Sequence, residues 1–298
     1  MKLGIDSYSF HRLFGDIRGE EAQLGPRPFG TLDVIAAATR LGAESIALQT
    51  CFLDFPSPPG AAELRTALDP LELVVAWGHP EGLSFGTAAA AADDLHRWIE
   101  VAPALGCGLV RLVAGNSRTD RRGLPIEFLA DALRGSVEAA GARGIRLALE
   151  NHADLTVAEL ELLISLVDDP VLGICLDTAN AVRVGDDPLQ ATLRLLPYVR
   201  MVHLKDVAGG AFEPSAGPRS VPYGTGVIPV RQILDSLREA EFDGHVVVEL
   251  GYLGGGQVDE EELLTVCFQW LLEALGRPRL ADAASGVDPL AATGKGIR

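Results

Sequence analysis

The feature that most limits how this chain can fold is a strict alternation. Eight short apolar runs, Leu3–Ser7, Ser45–Gln49, Leu73–Trp77, Leu109–Val113, Arg146–Glu150, Gly173–Asp177, Met201–Lys205 and Val246–Leu250, are separated by eight longer segments. Those segments, Thr31–Leu41, Ala61–Leu68, Ala88–Leu105, Ile126–Ala142, Val157–Val167, Leu189–Leu195, Val230–Ala240 and Glu260–Leu275, repeat apolar residues at helical spacing. Nearly continuous apolar runs suit parallel strands buried on both faces, and parallel neighbours need a crossover helix. Eight such units predict an α/β fold, a single (β/α)8 TIM barrel. A doubly wound open sheet is the competitor. Its dinucleotide-binding form needs a GxGxxG turn after the first strand, which Leu3–Arg12 lacks.

Local signals agree with the alternation. Thr31 and Thr156 can cap a following helix, Pro188 and Pro229 suit a first turn, and Gly42, Gly144 and Gly276 sit past helix ends. The expected barrel occupies residues 1–276, and 277–298 reads as a tail. Two connections are long, His11–Gly30 and Val207–Ile228. Both follow strand C-termini, the face where barrels place their chemistry, so both are expected to be lids or binding loops.

Composition narrows the function. Among 298 residues, 25 Lys and Arg against 41 Asp and Glu give a net charge of −16. That balance argues against a nucleic-acid partner, which needs clustered cations to displace counterions. At 48% hydrophobic residues the chain is expected to be globular. No secretory signal and no long uninterrupted apolar stretch is evident, so a cytoplasmic protein without membrane contact is expected. Cys51, Cys107, Cys175 and Cys267 form no CxxC pair and read as reduced, mostly buried thiols.

The last four strands close in a consistent way. Glu150-Asn151-His152 ends the fifth, Asp177-Thr178-Ala179-Asn180 the sixth, His203-Leu204-Lys205-Asp206 the seventh and Glu249 the eighth. Three carboxylates and an imidazole converging at one mouth would repel and shift one another unless a cation joined them. Glu150, Asp177, His203 and Glu249 are therefore the candidate ligands of one divalent ion. The mixed donor set suits Mn²⁺, Fe²⁺, Co²⁺ or Zn²⁺, and Mg²⁺ less well. Residues i and i+2 on a strand share a face. His152 should thus follow Glu150 into the mouth as a candidate general base. Lys205 should follow His203, placed to neutralise an enolate oxygen or a phosphate, or to protonate a leaving group. The first four strands offer Tyr8, Gln49, Trp77, His79 and Arg111 as candidate substrate contacts. Tyr8 and Trp77 could wall a sugar ring or pack in the core. The charge of Arg111 inside an apolar run needs a partner or a substrate anion. Tyr223-Gly224-Thr225-Gly226 is a glycine-rich turn in the second long loop.

Taken in order, these motifs resemble the xylose isomerase-like barrel superfamily, the sugar phosphate isomerase/epimerase group, from about Met1 to Gly276. The resemblance implies that Glu150, Asp177, His203 and Glu249 bind one divalent ion, Mn²⁺ being the expected one. It implies an enzyme that removes the proton next to the carbonyl of an oxo-sugar or oxo-polyol through a metal-stabilised enediolate. His152 with Lys205 resembles the arrangement in the family's dehydratases and C-glycoside deglycosidases, where a strand-five His is the base. Arg111 resembles an arginine of the dehydroshikimate enzymes. On these grounds β-elimination is favoured over epimerisation or isomerisation. The alternative is a keto-sugar 3-epimerase with Glu150 and Glu249 as acid/base pair. Such epimerases often carry His where this chain has Asn180, which can bind a hydroxyl but cannot shuttle protons. Two remote alternatives are a non-catalytic sugar-binding or regulatory barrel and an endonuclease IV-type repair enzyme. The latter would need more metal ligands than six His and Asn180 supply. The implied partners are a small oxo-sugar or glycoside and further copies of the chain in a homo-oligomer. A small second subunit, as in the deglycosidases, is the other assembly the resemblance allows.

Overall fold

The computed structural model describes residues 1–21, 29–54, 57–115, 123–152, 154–210, 217–255 and 258–278. Residues 279–298 of the expected tail, and parts of both long connections, lie outside the described residues. Eight parallel strands follow chain order: β1 (Lys2–Asp6), β2 (Ser45–Gln49), β3 (Glu72–Ala76), β4 (Leu109–Leu112), β5 (Arg146–Glu150), β6 (Leu172–Asp177), β7 (Val199–Leu204) and β8 (His245–Val248). Each pairs with the next, and β8 pairs with β1 through Lys2↔His245 to Ile5↔Val248, which closes the barrel.

The crossover helices are α1 (Thr31–Arg40), α2 (Pro58–Leu68), α3 (Ala89–Val101), α4 (Ile126–Gly141), α5 (Val157–Val167), α7 (Pro188–Leu195), α8 (Val230–Glu239) and α9 (Glu260–Ala274). A four-residue helix that the apolar periodicity did not predict, α6 (Asn180–Arg183), follows β6. Thr156 caps α5 as expected, with Glu159 Oε2 accepting from the Thr156 N–H at 2.9 Å. Thr31 does not cap α1; Gly30 holds that position and donates its N–H to Asp33. Several apolar runs end one residue early as strands. Lys205 N–H, for instance, turns from the ladder to Thr178 Oγ1 at 2.9 Å.

Two apolar cores hold the barrel. One lies between the outer strand faces and the helices; the other fills the barrel interior with Ala47, Val74, Ala76, Leu109, Ala148, Cys175, Met201 and Val247. Most of these side chains are small. A Cβ on Gly4 would lie 2.5 Å from the carbonyl oxygen of Ser45, its register partner on the neighbouring strand β2, so that position requires glycine.

This plug positions the chemistry. Two residues beyond Gly4, Ala47, Leu109, Ala148, Cys175, Met201 and Val247 stand Asp6, Gln49, Arg111, Glu150, Asp177, His203 and Glu249. All seven are buried. A polar layer thus rests on the apolar plug at the C-terminal mouth.

Candidate active site

Four of these residues converge on a compact cluster. His203 Nδ1 lies 2.5 Å from Glu249 Oε2 and 3.4 Å from Glu150 Oε2. Lys205 Nζ sits 2.7 Å from Asp177 Oδ2 and 3.0 Å from Glu249 Oε1. The strand ends therefore bring Glu150 and Glu249 directly against His203, and Asp177 joins them through Lys205. Asp177 Oδ2, both His203 ring nitrogens and Glu249 Oε2 are nevertheless buried without a hydrogen-bond partner. Buried donor atoms that meet charge but lack directed hydrogen bonds fit a site for a cation. Among the described residues, donor atoms of Glu150, Cys175 and His203, and of Asp6, His203 and Glu249, lie within 4.8 Å of one another. The cluster suits a divalent ion.

Electrostatics follow from crowding. Burial alone would raise Glu249, but His203 and Lys205 hold it down to about 2. Burial likewise opposes ionisation of Glu150, yet Arg111 and His203 keep it well below the usual carboxylate range. Asp177 is pushed up, by burial foremost and by its neighbouring carboxylates. Burial and the charge of Glu249 push Asp6 up to about 6.

Asp6 was not among the residues expected at the site. It is fully buried, 3.4 Å from His203 Nε2, and receives the Tyr8 N–H at 2.7 Å and both hydrogen bonds of Gln49 Nε2. The signal was present: an acid closes the run Leu3-Gly4-Ile5 as acids close the fifth, sixth and eighth strands. Cys175 was also missed as a possible donor. Burial pushes its thiol up to about 11, so it meets His203 as a neutral group.

A cavity of about 440 Å³ opens above the cluster, a size suited to a small ligand. Tyr8, Gln49, His79, Arg111, Glu150, His152, Asn180, Lys205 and Glu249 line it, whereas Asp177 and His203 lie beneath its floor. Trp77 requires a correction. It is wholly buried away from the cavity, its indole N–H donating to Asp94 Oδ2 at 2.9 Å, so it is a core residue and no wall for a sugar. Its neighbour His79 stacks on it and reaches the cavity. Tyr8 lies against His11 and Phe52. Arg111 has protein partners: Nε and Nη2 meet Glu150 Oε2 at 2.5 Å, and Nη1 donates to the Trp77 carbonyl at 3.1 Å. Its charge is thereby satisfied without a substrate anion.

His152 and Asn180 differ in commitment. Asn180 Nδ2 donates to Glu150 Oε1 at 3.1 Å. His152 Nδ1 is buried without a hydrogen bond, 3.8 Å from Asp154 Oδ2, itself unpartnered. Burial and nearby cations lower the imidazole to about 4, so it is neutral near pH 7. The glycine-rich turn is closed around a side chain of the protein itself. It wraps Asp206, which accepts from the N–H groups of Gly224, Gly226, Val207 and Ile228. A Cβ on Gly226 would collide with that carboxylate.

The model of the xylose isomerase-like TIM barrel family matches residues 35–273. The chain belongs to this family. Among family relatives, 2-epi-5-epi-valiolone 7-phosphate 2-epimerase of an Actinoplanes species is 33% identical over 218 residues, 68% of this chain and 77% of that enzyme. Inosose dehydratase of Bacillus thuringiensis is 26% identical over 161 residues, 49% of this chain and 51% of the relative. The chain spans about half the length of the inosose dehydratases it matches. A crystal structure of the IOLI protein with a bound zinc atom shares the fold at TM-score 0.70 and 16% identity, covering 93% of this chain and 98% of that one. Among the described residues no helix is long and apolar enough to cross a membrane.

Proposed function

We propose that this barrel is a divalent-metal-dependent enzyme of oxo-sugars or oxo-polyols, and that its reaction is β-elimination. Glu150, Asp177, His203 and Glu249 would hold the ion, with Mn²⁺ the first choice from the oxygen-rich donor set. When bound, the ion supplies Lewis-acid stabilisation of negative charge developing on a substrate oxygen.

The observation that carries elimination is the division of labour between Glu150 and His152. Arg111 and Asn180 occupy both Glu150 oxygens, which fixes that carboxylate in its ionised form. His152 lines the cavity with a neutral ring and no hydrogen bond on Nδ1. His152 therefore takes the proton from the carbon next to the carbonyl, and the C–H electron pair moves towards the carbonyl oxygen. As that pair returns, the bond to the β-oxygen breaks and the leaving group departs with a proton from Lys205. For a hydroxyl, the product is one water lighter than the substrate. Asp154 Oδ2 lies 3.8 Å from His152 Nδ1, a carboxylate behind the ring that makes no hydrogen bond to it.

A second reading is epimerisation, favoured by the 33% identical epimerase relative. Incubating the Mn²⁺-loaded protein with inososes and keto-sugars in D₂O, followed by NMR, separates the two. Loss of water supports elimination through His152. Deuterium in recovered sugar or its epimer without loss of water supports Glu150 and Glu249 as acid/base pair. Neither exchange nor loss with any oxo-compound contradicts both.

A further inference from the structure

The cations around the cavity are unequally committed. Arg111 is held by Glu150, and Lys205 by Asp177 and Glu249. Arg18 packs its guanidinium over the Tyr8 ring and places Nε and Nη2 on a single oxygen, Asp16 Oδ2, at 3.2 and 2.9 Å. Arg183, the last residue of α6, lines the same cavity. Its Nη1 donates to Asn180 Oδ1 at 3.3 Å, and among the described residues no carboxylate forms an ion pair with it. Burial lowers its pKa, and the like charge of Arg18 adds to that effect against the attraction of Asp177 and Asp154. Two half-buried guanidiniums thus share one cavity in a protein of net charge −16, one of them without an ion pair among the described residues. An anionic group of a ligand would complete it with charge-assisted hydrogen bonds.

We propose that Arg183 and Arg18 form a subsite for a phosphate monoester on the sugar, at the end remote from the reacting carbonyl. Two features set this chemistry. A phosphate dianion presents enough oxygens for two guanidiniums at once, whereas a carboxylate fills one fork. The path Arg183–Asn180–Glu150 is two hydrogen bonds long, which puts the subsite and the carboxylate cluster within reach of one sugar chain. The assignment rests on the proposed oxo-sugar chemistry only for which end of the substrate meets the floor.

Equilibrium binding of inorganic phosphate to the metal-loaded protein tests it, by calorimetry at constant ionic strength against chloride. Saturable binding is expected in the wild type. It should weaken about tenfold or more in Arg183→Gln, and less in Arg183→Lys, which keeps the charge but loses the fork. Arg18→Gln should also weaken it, with metal content unchanged in all three. No binding by the wild type would overturn the proposal. So would wild-type affinity in Arg183→Gln, as expected of phosphate held by the metal cluster, or acetate binding as tightly as phosphate. Because no turnover is required, failure here and failure of the D₂O experiment are separable.

Discussion

Asp6 Oδ2 lies 3.4 Å from His203 Nε2, on the opposite side of the ring from the nitrogen that meets Glu249. The two meet as opposite charges without a directed hydrogen bond, while Nδ1 faces the carboxylates. Partners of this kind set ring orientation and ligand basicity, and losing one weakens metal binding by about 10–100-fold. Asp6→Asn is expected to fold and to lose Mn²⁺ affinity in that range, read by competition with a fluorescent chelator. Unchanged affinity would remove Asp6 from the site.

Lys205 answers two acids, Asp177 and Glu249, from an almost buried position. In the metal-free protein Lys205→Met strands both carboxylates, a loss of about 3 kcal/mol for breaking a buried pair. Thermal unfolding should show the metal-free variant well below wild type, and Mn²⁺ should recover most of the difference. A variant equally stable with and without metal would contradict the shared pocket of charge.

His152 and Glu150 should separate by phenotype. His152→Gln is expected to keep its metal content and lose about 10²–10⁴-fold in turnover, the usual contribution of a general base. Glu150→Gln should lose both metal and turnover. Elemental analysis beside a rate measurement decides, and metal loss in His152→Gln would make it a structural residue.

Far from the mouth, His245 at the start of β8 is 7% exposed, and its Nδ1 has no hydrogen-bond partner. Burial lowers its imidazole to about 4 from the ordinary 6.5. Between those values the unfolded chain binds a proton that the folded chain refuses. The contribution to stability is therefore complete above the ordinary value and falls as the pH drops towards the lower one. The loss is about 3 kcal/mol. Denaturant unfolding of wild type and His245→Asn should show the acid-side decline flattened in the variant. Parallel curves would contradict the assignment.

How far the sequence was legible follows from these residues. Apolar alternation reports strands and helices directly, so the barrel and the strand-end cluster of β5–β8 could be read from spacing. Asp6 carries the same signal but stands alone among the first four strand ends, since β2, β3 and β4 close on Gln49, Ala76 and Leu112 and repeat no acid. Trp77 was misplaced because its strand ends at Ala76 and the chain turns the indole towards Asp94 on α3. The partner of Arg111 could not be read, since it lies on the neighbouring strand and pairing registers are not written locally. Arg18 and Arg183 belong to a loop and a four-residue helix, where no periodicity announces which cavity a side chain enters.

Whether the carboxylate–imidazole layer holds a divalent ion is read from metal stoichiometry by elemental mass spectrometry. Wild type purified with Mn²⁺ is predicted to retain close to one ion per chain, and Asp177→Ala to lose it while remaining folded. Wild type that takes up neither Mn²⁺, Co²⁺ nor Zn²⁺ would contradict the account and leave the layer a structural polar network.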